Sequence, residues 1–149
     1  MSFTLKIFSF ILLLFLGCSS QEESICIESP DKNISVKILK QNSDFIYNVN
    51  FKGKTIIQDS KVGLMFKNNF EFPTNHNVKK VEKEFHKDTW ELPWGEKKVV
   101  KDIYNEIIIS LTDTNNLETG KMLFRAYDDG IAFRYQMNDN KKNQDSLII

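Results

Sequence analysis

A disulfide scaffold is the first thing this chain excludes, because its 149 residues include only two cysteines, Cys18 and Cys26, too few for a framework. Histidine is equally scarce. His76 and His86 stand alone and apart, whereas a metal site needs several converging ligands. Charge of one sign is missing too. Twenty basic side chains face twenty acidic ones, which leaves no electrostatic footprint for nucleic acid. The main apolar run, Phe10 through Leu16, is far shorter than the roughly 20 residues that cross a bilayer. Serine-nucleophile, phosphate-loop and zinc patterns are absent. No internal repeat is visible, and no stretch holds helical periodicity long enough to read as an amphipathic helix.

What is present begins with the N-terminus. Lys6, the apolar run and then Gly17-Cys18-Ser19-Ser20 have the charged, greasy and small-residue layout of a secretory signal. Cysteine directly after Gly17 resembles a bacterial lipobox, in which cleavage precedes a cysteine whose thiol carries lipid. The expected organisation is a signal peptide over 1–17, a lipidated tether over 18–24 starting at Cys18, and a folded domain over 25–149. Small, polar and acidic residues from Ser19 to Ser24 suit a flexible tether. Cleavage removes Lys6 and no acidic residue, so the mature charge stays near neutral. Its expected location is the bacterial cell envelope, lipid-anchored and facing the periplasm or the surface. With Cys18 lipidated, Cys26 has no partner and reads as a small buried residue.

Alternation with period two marks the strands. Ile34, Val36 and Ile38 alternate with Ser35 and Lys37; Phe45, Tyr47, Val49 and Phe51 alternate with Ile46, Asn48 and Asn50. Gly53 reads as a turn between two such runs. Ile56 to Phe66 gives a strand or a pair broken near Gly63, and the mostly polar stretch from Lys67 to Asn77 reads as a loop. Ile107, Ile109 and Leu111 share one face of an isoleucine-rich strand. Met122 to Tyr127 and Ile131 to Met137 flank Asp128-Asp129-Gly130, whose Asp-Gly pair favours the positive φ angles of a tight hairpin. Many short strands with turns between them predict an all-β, antiparallel β-sandwich. Ser146 to Ile149 looks like a strand that has only begun, so the sandwich is expected to be incomplete at its C-terminus.

Adjacent carboxylates at Asp128 and Asp129 invite a catalytic reading, since glycoside hydrolysis uses two. Successive strand residues point to opposite faces, however, while the catalytic pair must flank one bond at about 5 to 9 Å. Turn chemistry explains them better. Arg125 and Arg134, one on each arm, are placed to pair with Asp128, Asp129 or Glu106. Tyr104-Asn105-Glu106 reads as the start of the isoleucine-rich strand with a hydrogen-bonded asparagine. Trp90 and Trp94 are suited to stacking on sugar, and equally to a core or a domain contact. Gly95 lets the backbone bring Glu96 close to another surface. Trp90, Trp94, Gly95 and Glu96 are therefore the candidate residues for domain docking or sugar contact.

The order of Ser29-Pro30-Asp31, Trp90-Glu91-Leu92-Pro93-Trp94-Gly95-Glu96, Tyr104-Asn105-Glu106 and Phe124-Arg125-Ala126-Tyr127-Asp128-Asp129-Gly130-Ile131-Ala132-Phe133-Arg134-Tyr135 resembles the N-terminal domain of glycoside hydrolase family 97. The resemblance implies a sandwich of the N-terminal super-sandwich type, preceding a catalytic (β/α)8 barrel and a small C-terminal β domain. In that family of α-glucosidases and α-galactosidases the acid and the base or nucleophile belong to the barrel, which takes about 250 residues and is not in this chain. The family's calcium draws its ligands mainly from the barrel, with one glutamate from the N-terminal domain, expected beyond Ile149. The resemblance thus implies no catalytic residue, metal ligand or cofactor in this chain, with calcium belonging to the full-length enzyme. It implies a truncated family protein, inactive alone, whose partners are the barrel, possible α-glucan or α-galactoside, and the membrane through its lipid. The alternative is a stand-alone lipid-anchored module that binds carbohydrate or protein.

Overall fold

The computed structural model describes residues 24–67, 69–94, 99–138 and the backbone of 147–148; the expected signal peptide, Cys18 and most of the expected tether lie outside these. Every regular element among the described residues is a strand. β1 (Ser24–Glu28), β2 (Ile34–Gln41), β3 (Asp44–Phe51) and β4 (Lys54–Val62) form one antiparallel sheet in that order. β7 (Asn77–Glu91), β8 (Val99–Thr112), β9 (Glu118–Ala126) and β10 (Ile131–Met137) form the second, ordered β10-β9-β8-β7. Between them in sequence come β5 (Leu64–Phe66) and β6 (Glu71–Phe72), which join β11 (Leu147–Ile148) in a small third sheet ordered β11-β5-β6.

The alternating runs face inward as their period predicts. Ile34, Val36 and Ile38 on β2, Phe45 and Val49 on β3, Ile107, Ile109 and Leu111 on β8, and Met122, Phe124 and Ala126 on β9 are all buried in one core. Phe72 enters the same core from the third sheet, fully buried. Burying each large side chain contributes about 1.5–3 kcal/mol, so these residues dominate the fold's stability. Gly53 makes the expected turn: Lys52 and Gly53 both take positive φ, 49° and 77°, between the paired residues Phe51 and Lys54. That is the backbone a two-residue hairpin requires.

Four expectations change. The hairpin tip after β9 is a four-residue loop from Tyr127 to Gly130, closed by the Tyr127 N–H donating to the Gly130 carbonyl at 2.8 Å. None of its residues takes positive φ, so Asp-Gly is not used there as in a tight turn. Cys26 is exposed, because it sits one position out of phase with the inward Ile25 and Ile27 on a strand at the sheet's edge. The polar stretch after Lys67 holds β6, which pairs with β5 and carries the buried Phe72. Tyr104-Asn105-Glu106 lies well inside β8 rather than at its start.

The third sheet is tied to the second through Tyr135 on β10, whose hydroxyl lies in hydrogen-bond contact with the Gly63 backbone between β4 and β5; burial pushes that hydroxyl up to about 12. Gly120 on β9 marks the closest approach. A Cβ there would meet the Gln136 carbonyl oxygen at 2.5 Å, Met137 Cα at 3.1 Å and the Phe72 ring at 3.2 Å. Two of those neighbours are backbone and have nowhere to move. Gly120→Ala should lower the unfolding free energy by about 2 kcal/mol or more, in the range of overpacked cores, and urea denaturation monitored by circular dichroism would measure it.

Candidate functional site

The motif residues converge at one end of the sandwich. Register does this: β8 pairs Asn105 with Ala126, Glu106 with Arg125, and on its other side His86 with Tyr104. Alternation then divides them between two faces. Ile107, Phe124 and Asn105 point toward the first sheet, and Tyr104, Glu106 and Arg125 point away from it.

On the outward face Arg125 Nε donates to Glu106 Oε1 at 2.6 Å, with the glutamate side chain 9% and the arginine 30% exposed. The Glu106 carboxylate beside it raises the guanidinium further above its ordinary value. The same guanidinium lies 4.3 Å from the centre of the Tyr104 ring, a cation–π geometry. Tyr104 stacks on His86 with centroids 4.7 Å apart and meets Tyr127 at 5.0 Å. Burial pushes the Tyr104 hydroxyl up. His86 Nε2 lies 3.6 Å from Asp102 Oδ2. Of the partners open to Arg125 in the sequence, the structure selects Glu106; Arg134 forms no ion pair among the described residues.

At the same end the two sheets are joined by side chains. Asn105 Nδ2 donates to the Glu28 carbonyl at 2.8 Å, as a hydrogen-bonded asparagine should. The Asp31 N–H donates to Asp128 Oδ1 at 2.9 Å, linking the β1–β2 turn to the β9–β10 tip. Asp31 itself accepts from the Ser29 hydroxyl at 2.6 Å and from the Asn33 N–H at 3.0 Å. These hydrogen bonds, Ser29 first, hold the Asp31 carboxyl below the usual carboxylate range. Of the two aspartates that suggested acid–base chemistry, Asp128 is thus occupied in joining two turns.

No group of three or more His, Cys, Asp or Glu that could hold a metal ion exists among the described residues. His76 is buried, with Nδ1 2.8 Å from the Thr74 carbonyl and its ring edge-on to Phe72. It is a core residue.

Trp90 and Trp94 lie elsewhere. β9 pairs with β8 only from Asn105 to Thr112, while β7 follows β8 out to Glu91 opposite Val99. Lys87–Glu91 and 99–103 therefore leave the sandwich as a two-stranded ribbon about 17 Å long at 3.4 Å per residue. Trp90 is 42% and Trp94 84% exposed, with Leu92 and Val99 also exposed nearby. Neither tryptophan belongs to the core; Gly95 and Glu96 fall outside the described residues. The sequence reading assigned no strand to β7 because most of its residues face solvent, and His86 and Asp102 join the outward cluster only through strand register.

Residues 27–149 match the family model described as glycosyl-hydrolase 97 N-terminal. Similar solved structures include a glycoside hydrolase family 97 enzyme from Pseudoalteromonas sp. strain K8 in complex with panose, and the enzyme in complex with acarbose. Each is 30% identical with a TM-score of 0.71, over 78% of this chain and 18% of that one. A β-arabinopyranosidase, 19% identical with a TM-score of 0.70 over 80% of this chain and 19% of its own, shares the fold. The chain therefore spans about a fifth of the length of the solved structures it matches.

Arg125→Ala would leave the Glu106 carboxylate buried without its partner. Breaking a buried pair costs about 3–5 kcal/mol, and the partial exposure of Arg125 reduces that to about 2 kcal/mol, measurable by chemical denaturation; Glu106→Gln, which keeps an acceptor, should cost less. Asp31 adds a pH dependence. Its carboxyl is more acidic folded than unfolded, so the stability it adds is present at neutral pH and is lost as pH falls below about 4. Asp31→Asn should melt below the wild type at pH 7, and the two melting curves should converge on acidification to pH ~2, past both states' titration.

Proposed function

Since the chain belongs to glycosyl-hydrolase family 97 through that family's N-terminal domain, we propose that it is a non-catalytic support which docks on the family's catalytic barrel by means of the β7–β8 ribbon. The observation that carries this reading is the ribbon's apolar end. A two-stranded ribbon alone in water is marginal, and this one carries Trp90, Leu92, Trp94 and Val99 exposed together. Exposed apolar clusters of this kind suit burial against a second domain. The outward cluster and the turn clamps favour the same role, since their carboxylates are bound by neighbours and not aimed at a shared point. The barrel then supplies the chemistry on an α-glucan or α-galactoside, with calcium as its metal. Cys18, lipidated, would hold the assembly at a bacterial membrane facing the periplasm or the surface.

The purified chain should release no sugar from aryl α-glucosides or α-galactosides, with or without calcium, and clear turnover would overturn the reading. In the same series, calorimetry against a separately produced family 97 barrel should lose at least about tenfold in affinity on Trp94→Ala, as a central aromatic contact does. The isolated domain's stability should change by less than about 0.5 kcal/mol on that substitution. Affinity unchanged by Trp90→Ala and Trp94→Ala would remove the ribbon as the docking element.

A further inference from the structure

The ribbon has two unlike faces. Register pairs His86 with Tyr104, Asp88 with Asp102 and Trp90 with Val100 on the outward side, in one row with Glu84 and Glu106. Lys87, Thr89, Val99 and Lys101 leave from the other side. On the outward face Asp88 and Asp102 stand directly opposite each other. Cross-strand partners have Cβ atoms about 4.5–5.5 Å apart, and like charges so placed destabilise a strand pair. Among the described residues the one basic side chain within ion-pair distance of either aspartate is His86, whose Nε2 is 3.6 Å from Asp102 Oδ2. Asp88 Oδ1 accepts from the Thr89 N–H at 2.7 Å, and no cation lies within that distance of it among the described residues.

Further along the same face, inside the sandwich, the chain completes this chemistry itself. Glu106 lies beside the Tyr104 ring, and Arg125 reaches over from β9 to serve both. Its Nε donates to Glu106 Oε1 at 2.6 Å, and its guanidinium lies 4.3 Å from the Tyr104 ring centre. A guanidinium can stack flat on an aromatic ring and pair with a carboxylate at once. β9 pairs with β8 no further out than Asn105, so among the described residues it brings nothing alongside Asp102 and Val100. There the face again sets carboxylates next to an aromatic ring, Asp88 and Asp102 beside Trp90, and the described chain supplies no arginine to them.

We infer that the domain on which the ribbon docks presents an arginine at this place, its guanidinium lying on Trp90 and spanning Asp88 and Asp102. The inference rests on the docking reading above and names the chemistry of the partner's surface: a guanidinium set beside an apolar seat for Trp90 and Val100. An ammonium is a point charge without the planar fork that meets two carboxylates while lying on a ring. The face's remaining charge favours a cation too. Glu84 has no ion-pair partner among the described residues, and Arg125, the arginine in this row, is committed to Glu106. Repulsion between the two aspartates in the free ribbon is then relieved in the complex, which ties docking to the right partner.

The test is calorimetry of the 149-residue chain against the separately produced family 97 barrel, read beside the melting temperature of the chain alone. Asp88→Asn should weaken docking about tenfold, as loss of a close charge pair across an interface does, and the wild-type affinity should fall with salt more steeply than the variant's. The variant's melting temperature should stay level or rise, because the substitution removes a like-charge pair. Treating the barrel with phenylglyoxal, which modifies arginine, should erase the difference between wild type and Asp88→Asn, and acetylating the barrel's lysines should not. Docking that depends on Trp94 and not on Asp88 overturns the inference and leaves the ribbon as the docking element. A variant that melts lower overturns it as well, since the carboxylate then serves the fold. Sensitivity to lysine acetylation in place of phenylglyoxal overturns the arginine, and no binding to the barrel removes the docking reading and the inference together.

Discussion

Everything in this domain depends on the register of β8. It is bounded on both edges, by β7 and β9, for eight residues from Asn105 to Thr112, and by β7 alone for the rest. Where both neighbours are present, one face of β8 supplies Ile107, Ile109 and Leu111 to the core and the other supplies Glu106 to the outward cluster. A slip of one residue would exchange those faces entirely. Glu106 would enter the core, and Ile107 would stand beside Arg125. The arginine–glutamate pair and the isoleucine run thus enforce the same alignment from opposite sides of one strand.

The residues that make this chain distinctive are spent on holding it together. Asp31 and Asp128 close one end of the sandwich across two turns, Asn105 ties the second sheet to β1, and Tyr135 ties it to the third sheet. A carboxylate accepting several hydrogen bonds from its own turn is stabilised in its charged form and poorly placed to move a proton. Among the described residues, the projecting end of the long β7–β8 hairpin carries exposed apolar side chains, Trp90, Leu92, Trp94 and Val99.

That division follows from strand length. β7 and β8 have 15 and 14 residues, against 9 for β9 and 8 for β2. The surplus cannot be covered by the shorter strands, so one hairpin emerges from the sandwich with apolar side chains in solvent. A sandwich needs its strands only as long as its core, and this hairpin is longer than that.

Period-two alternation was enough to read β2, β3 and the inward face of β8, because a buried face and a solvated face demand different side chains at every second position. The sandwich class and the family resemblance followed from the same residues. Alternation said nothing of β7, where both faces meet solvent, and the Asp-Gly signal misled at the β9–β10 tip, where Asp128 bonds Asp31 from the other sheet in a wider loop. Cys26 could not be placed from composition, since a small apolar side chain fits inside or outside until the edge strand's phase is known. By itself the sequence determined that β2, β3 and the isoleucine run of β8 are strands with one buried face, and to what family the chain is kin, since these rest on local pattern. Only the tertiary structure decided that Glu106 meets Arg125, that Asp31 meets Asp128, and that β7 and β8 run on past β9, because those depend on how strands distant in sequence align and where one strand ends beside another.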